Sequence, residues 1–269
     1  MAPTFVGGQP THANQLQNNV DRGQVAGYAF QILPYMELTN IWNPQGGTTI
    51  LQKYEIMRRS AVPSYACPTR RAGAQNMMLD TNIGPEGNWG YNIRTMMVDY
   101  GSNSYTAWGW ESQQYGVTPW AKGIPIGAIT DGTSNVFMVG EKRMPSRMYL
   151  QPTGDQDFGV TDGWDPDVVR IANIGDPHNG SYVDANGRKR PWNPNDAWLP
   201  IPDNVSYGVD GRSGWNSADW GDWRFGGPHP EKFLMAFADA SVHPIPYNID
   251  PVLWMRLANR SDGDSVELP

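Results

Sequence analysis

The sequence predicts an α+β fold in which an antiparallel sheet packs on a helical segment. Residues 27–42 carry apolar side chains at helical spacing. The segments 135–140 and 232–238 are short apolar runs beside turn residues, as expected for strands. Asp250 followed by Pro251 suits the start of a helix. The 30 glycines and 23 prolines predict a loop-rich chain around these elements.

The N-terminal part is expected to supply the helical layer. Residues 27–58 are predicted to be mainly helical, with an interruption at Pro34, and to pack on the sheet. Residues 1–24 are polar and rich in Gly, Asn and Gln, which indicates a flexible lead-in.

The C-terminal part predicts a hairpin and a helix. Every residue after Lys232 in the run to Ala238 is apolar, so this strand is expected to be buried on both faces. Residues 239–240 form the turn, and residues 241–245 return as the partner strand. Asp250 is the expected N-cap of a helix that runs to about Ala258.

Composition excludes several classes of function. The net charge of −7 disfavours nucleic acid as a partner, because an acidic surface repels phosphates. No run of 18 apolar residues occurs, so the chain as given is not expected to span a membrane. Cys67 is the single cysteine, which rules out an intramolecular disulfide and indicates a small buried residue.

Residues 150–225 form a long stretch rich in Asp, Gly, Pro and Trp. We expect this insertion to lie on one edge of the sheet. A loop of this length either packs on itself or binds something, because long structureless loops are uncommon in compact domains.

The insertion contains a candidate calcium site. Calcium binds six to eight oxygen ligands and tolerates loops. The candidate ligands are five closely spaced aspartates: Asp155, Asp157, Asp162, Asp165 and Asp167. Their spacing does not match an EF-hand, and a solvated acidic loop is the favoured alternative. Apart from calcium, no cofactor is expected.

The insertion also contains candidate sugar-stacking side chains. The aromatic residues concerned are Trp164, Trp192, Trp198, Trp215, Trp220 and Trp223. Their rings beside Asp and Asn would suit glycan recognition. The favoured alternative is a satellite core that anchors the long loops.

Five short motifs, each present once, follow one another along the chain. They are 32–37 with 40–43 (ILPYME, NIWN), 66–69 (ACPT), 99–103 (DYGSN), 129–135 with 139–142 (ITDGTSN, VGEK), and 229–230 with 237–242 (HP, FADASV). Together they resemble the planctomycete prepilin-type, pseudopilin-like family called DUF1559, with its H-X9-DG C-terminal motif.

The resemblance implies a single pilin-like domain over 1–269. It does not imply an enzyme activity, since none is established for the family, and we expect that the chain is not an enzyme. Family members begin with a prepilin leader and a long hydrophobic helix, so we expect that such a segment has been removed here. The resemblance also implies export to the cell surface, periplasm or exterior. The expected partners are further copies or other pilin-like subunits, assembled through the missing helix.

The motif residues are interpreted as structural. They are Asp131, Gly132, Thr133, Ser134, Asn135, Glu141, His229 and Asp239. Asp131 and its neighbours suit a local Asx or ST turn, Asn135 suits a loop tie, and His229 suits a bond to a carbonyl. A hydrolase using Glu141 and Asp239 as a carboxylate pair is the less favoured alternative.

Ala240 departs from the family pattern, which has glycine at this position of the turn. A positive φ would cost alanine about 1 kcal/mol, so a turn of another type is expected.

The sequence therefore predicts a structural or interaction subunit of an exported pilus-like or type II secretion-like assembly. The alternative is an extracellular carbohydrate-binding or adhesive module.

Overall fold

A computed structural model describes the chain in several stretches. They are residues 27–48, 52–53, 56–57, 59–71, 78–83, 89–106, 116–117, 124–149, 168–173, 182–183, 187, 189–190, 197–205, 223–264 and 266. Within these stretches no helix has the length and apolar character needed to cross a membrane.

The chain divides into two compact units. The first comprises residues 1–100, 144–168 and 206–222, and the second comprises 101–143, 169–205 and 223–269. The single domain expected from the sequence stays a prediction.

Short helices and one hairpin build the first unit. The elements are α1 (Tyr28–Gln31), α2 (Thr39–Trp42), β1 (Met78–Ile83) and β2 (Trp89–Met96), with 3-10 turns at Leu33–Met36, Pro63–Tyr65 and Ser146–Met148. The predicted helix over 27–42 is present in three pieces. The 3-10 turn at Leu33–Met36 contains Pro34, and Glu37 adopts a left-handed φ of 62° directly after it. Both features interrupt a continuous helix.

The buried side chains of this helical segment form a cluster in the first unit. The cluster consists of Ala29, Phe30, Leu33, Ile41, Val62, Tyr65, Met96 and Val98. The Tyr65 hydroxyl donates to the Ala29 carbonyl, and burial raises the pKa of the phenol. The predicted packing of residues 27–58 on the large sheet stays a prediction.

The large sheet lies in the second unit. Its strands are β3 (Tyr100–Thr106), β4 (Phe137–Glu141), β5 (Val169–Asn173), β8 (Lys232–Phe237) and β9 (Val242–Pro246), in the spatial order β5–β3–β4–β8–β9. A small ribbon pairs β6 (Tyr182–Val183) with β7 (Lys189–Arg190). Further 3-10 turns lie at Ile126–Ala128 and Thr133–Asn135. The predicted α+β class is confirmed.

The sheet is mixed rather than antiparallel throughout. β8 runs antiparallel to both β4 and β9, as expected. β5 runs parallel to β3, with Ser102 opposite Val169. A parallel pair requires a long connection, and the many residues between β3 and β5 provide one.

The helix that packs on this sheet is α3 (Pro251–Ala258). Asp250 caps it as predicted, since one carboxylate oxygen accepts the N–H groups of Val252 and Leu253 at 2.9 Å each. The buried ring of Trp254 stacks on Phe137, with the ring centroids 4.9 Å apart. Helix and sheet therefore share an aromatic core.

β8 contradicts the expectation of burial on both faces. Phe233, Met235 and Phe237 are buried, but Leu234 is 46% exposed. The strand is thus covered on the α3 side alone, and the apolar run in the sequence does not report a second layer.

The described part of residues 150–225 supplies one strand of the large sheet. β5 is the last strand at one end of the sheet, and the placement of the stretch as a whole stays a prediction. The Ile171 N–H donates to the Trp223 carbonyl at 3.0 Å, and the Trp198 N–H donates to the Ala172 carbonyl at 2.8 Å. Phe225, which closes the stretch, is fully buried in the aromatic core.

Candidate functional site

The loop at residues 131–135 bonds to two distant parts of the second unit. The two carboxylate oxygens of Asp131 accept the backbone N–H groups of Asp262 at 2.6 Å and Gly263 at 3.0 Å. The Thr130 N–H also donates to the Arg260 carbonyl at 2.9 Å. This loop therefore holds the chain that follows α3. The sequence predicted a local turn here, but the partners are more than 100 residues away in the chain.

The backbone of this loop requires glycine at its second position. Gly132 has φ of 99°, and a Cβ there would lie 3.1 Å from Asn135 Nδ2. That amide group donates to the Asp131 carbonyl at 2.8 Å. Asn135 thus closes the motif on itself instead of holding a neighbouring loop, and Ser134 is exposed.

The same loop holds the β8–β9 turn. The Asp239 N–H donates to the Thr133 carbonyl at 3.1 Å, and the Ala238 N–H donates to the Val136 carbonyl at 2.9 Å. Two motifs that are more than 100 residues apart in sequence therefore meet through backbone hydrogen bonds.

Asp239 caps its own turn. Its Oδ1 atom accepts the Ser241 hydroxyl at 2.6 Å and the Ser241 N–H at 2.9 Å. These bonds lower the pKa of the Asp239 carboxyl. His243 Nε2 lies 2.9 Å from the same hydroxyl. The hydroxyl lies between carboxylate and imidazole, whereas a catalytic triad needs the imidazole in the middle.

Ala240 retains the turn that glycine would favour. Its φ is 71°, and its N–H donates to the Phe237 carbonyl at 3.0 Å. The expected change of turn type is therefore wrong, and alanine occupies a left-handed position.

His229 and Glu141, which belong to two different motifs, also lie close to each other. His229 Nε2 lies 3.4 Å from Glu141 Oε1, and the other carboxylate oxygen accepts the Leu234 N–H at 2.9 Å. The predicted carbonyl partner of His229 is replaced by this carboxylate.

The carboxylate pair considered for a hydrolase is not assembled. Glu141 ends β4, whereas the backbone of Asp239 bonds to Thr133, before β4 begins. The two side chains belong to opposite ends of the strand, so the arrangement does not supply a shared acid and base.

Two polar side chains of the third motif were not singled out from the sequence. In the first unit, the buried Asp99 carboxylate accepts the Cys67 N–H at 2.8 Å and contacts Arg71, and Arg70 Nη1 lies 3.7 Å away. The available signal was Arg70-Arg71 directly after the second motif, since buried arginines need a carboxylate.

In the second unit, buried Asn103 connects strand to helix. Its amide nitrogen donates to the Phe137 carbonyl at 3.0 Å and to the Ala258 carbonyl at 2.8 Å. The second bond satisfies a carbonyl at the end of α3. No sequence signal identifies these partners, because both are backbone groups distant in the chain.

The candidate calcium ligands Asp155, Asp157, Asp162, Asp165 and Asp167 lie outside the described residues, as do Trp164, Trp192, Trp215 and Trp220. The other two candidate sugar-stacking residues, Trp198 and Trp223, are partly buried and flank β5. The Arg224 guanidinium covers the Trp198 ring, 5.2 Å from its centroid. This position suits an anchor of the long stretch better than a free stacking face.

Comparison with known proteins gives one family match. The family model described as "Protein of unknown function (DUF1559)" matches residues 4–252. No curated protein and no solved structure matches the chain.

Proposed function

The chain belongs to the DUF1559 family, and we propose that it is a structural or interaction subunit of an exported pilus-like or type II secretion-like assembly at the cell surface. One observation carries the proposal. The motif side chains Asp99, Asn103, Asp131 and Asn135 bond to backbone groups that hold loops and strands together.

The use of these groups supports the non-enzymatic part of the proposal. Asp131 directs both carboxylate oxygens to backbone N–H groups, and Glu141 and Asp239 are separated along β4. Catalytic groups need a shared cleft with a nucleophile, base or metal. Export and processing rest on the family resemblance, which supplies a leader and a hydrophobic assembly helix.

A processing and localisation experiment tests the proposal. The gene is expressed from its native start in its own host, with and without the prepilin peptidase. We expect a shorter, surface-exposed product that is recovered in sheared filaments, and an unprocessed membrane-bound product without the peptidase. A cytoplasmic product of unchanged length in both hosts would contradict the proposal.

The alternative, an extracellular carbohydrate-binding module, is separable by a binding experiment. Polysaccharide pull-down would compare the unaltered chain with Trp198→Ala and Trp223→Ala. The structural proposal predicts no retained polysaccharide with either variant or with the parent. Retention that both substitutions abolish, with folding preserved, would favour the alternative.

A further inference from the structure

The strand β9 has one edge that no described strand covers. β9 is the last strand of the large sheet, and β8 is the strand paired with it. At the two ends of this pairing, the Phe237 N–H donates to the Ser241 carbonyl at 2.9 Å, and the Tyr247 N–H donates to the Glu231 carbonyl at 3.2 Å. Bonded and non-bonded residue pairs alternate in an antiparallel ladder. The odd-numbered residues of β9 therefore bond to β8, and the backbone groups of the even-numbered ones face away from it.

Proline occupies two of the three outward-facing positions of β9. These positions are Val242, Pro244 and Pro246. Proline has no N–H group, so of the three only Val242 offers a donor to an added strand. Val242 is 59% exposed and Pro244 is exposed as well, so this part of β9 lies at the surface. A proline at an odd-numbered position would instead remove a bond to β8. The two prolines thus leave the bonds within the sheet intact and remove donors from its edge.

The opposite end of the sheet is closed in a different way. The Ile171 N–H of β5 donates to the Trp223 carbonyl at 3.0 Å, and the Ala172 carbonyl of β5 accepts the Trp198 N–H at 2.8 Å. Other parts of the same chain therefore bond to the backbone of β5. An open edge strand is a template for pairing with another chain, and proteins protect such edges by covering them or by placing proline on them. Both kinds of protection are present, one at each end of this sheet.

We propose that Pro244 and Pro246 block the addition of a strand to β9. The two residues keep another chain, or a second copy of this one, from extending the large sheet. A partner that contacts this end of the sheet therefore does so without main-chain pairing. The block goes beyond the proposed function, because it concerns the sheet itself and not export or assembly. Failure of the localisation experiment would leave it untouched, and the reverse also holds.

Pro244→Thr combined with Pro246→Thr tests the block in the purified full chain. Threonine restores an N–H group at both positions and suits a strand, and its hydroxyl makes the edge no more apolar. A second copy is the probe, because two identical edges can pair antiparallel about a twofold axis. In sedimentation velocity over the micromolar range, the double variant should self-associate at least about 10-fold more strongly than the parent. Pro125→Thr is the matched control, because Pro125 is exposed but precedes a 3-10 turn outside the sheet.

Amide hydrogen exchange shows whether that association is strand addition. In the double variant, the amides of residues 242, 244 and 246 should exchange at least about 10-fold more slowly in concentrated than in dilute protein. Should the β8 amides lose their protection, Pro244→Thr alone is judged by the same criteria at residues 242 and 244. Association no stronger than that of the parent or of Pro125→Thr would overturn the proposal. So would association without protection of these amides, or protection of the Val242 amide in the concentrated parent.

Discussion

Asp99 and Asp131 each organise a loop of their own unit, but they do so with different partners. Asp99 is fully buried and contacts Arg71, with Arg70 nearby and one backbone N–H group bonded to it. Asp131 is partly exposed, and its carboxylate accepts two backbone N–H groups. The Asp99 carboxylate offsets buried positive charge. The Asp131 carboxylate instead accepts hydrogen bonds from the backbone that follows α3.

The difference teaches what each position can tolerate. Removing the charge of Asp99 leaves the buried Arg71 guanidinium without the carboxylate that it contacts, which is costly in a low-dielectric interior. Removing the Asp131 carboxylate leaves N–H groups that water can still reach in part. A substitution at Asp99 should therefore lower the stability of the protein more than a substitution of similar size at Asp131.

Asp99→Asn should give the largest effect. The free energy of unfolding should fall by about 3–5 kcal/mol, because the buried Arg71 guanidinium loses the carboxylate that it contacts. Chemical denaturation measures this loss. Glu231→Gln, at an exposed position, is the control and should change stability little. A loss below about 1 kcal/mol for Asp99→Asn would show that the buried pair is not required.

Gly132→Ala tests the backbone of the Asp131 loop. We expect a loss of about 1–2 kcal/mol, since alanine is strained at φ of 99° and its Cβ approaches Asn135 Nδ2. Gly263→Ala is a matched control, because its φ is 82° and no atom lies within 4 Å of its Cβ position. Thermal unfolding of both variants separates backbone strain from crowding. Equal losses would remove the role assigned to the Asn135 contact.

Ala240→Gly should stabilise the protein by about 0.5–1 kcal/mol. Glycine removes the cost of a left-handed alanine at φ of 71°, partly offset by a more flexible unfolded chain. The rise in the melting temperature measures this gain in stability. Ala238→Gly, two residues earlier and without a positive φ, should not share the gain.

The contribution of Asp239 to the pH dependence of stability should be the smallest of these effects. Its folded pKa is lowered by the Ser241 hydroxyl and N–H, so its contribution is present above the ordinary carboxyl range and disappears as the pH falls through the folded pKa. Asp239→Asn should therefore make stability less sensitive to acid below about pH 4. Melting temperatures between neutral and acidic pH test this. A steeper acid loss in the variant would contradict the sign.

Local signals in the sequence were the most informative ones. The Asp250–Pro251 cap predicted α3 correctly because a cap and its partners are neighbours in the chain. The apolar run at 232–238 predicted the position of β8 but not how many of its faces are buried. An apolar run looks the same in the sequence whether one face of the strand or both are covered. The partners of Asp131 and Asn103 could not be predicted, since tertiary packing alone brings those backbone groups together.

The central claim is that the Asp131 loop is architecture that holds the chain after α3. Amide hydrogen exchange in the parent and in Asp131→Ala tests it most directly, because the two N–H groups concerned belong to Asp262 and Gly263. We predict that these two amides exchange at least about 10-fold faster in the variant, while those of β8 keep their protection. Unchanged exchange at both amides would contradict the claim.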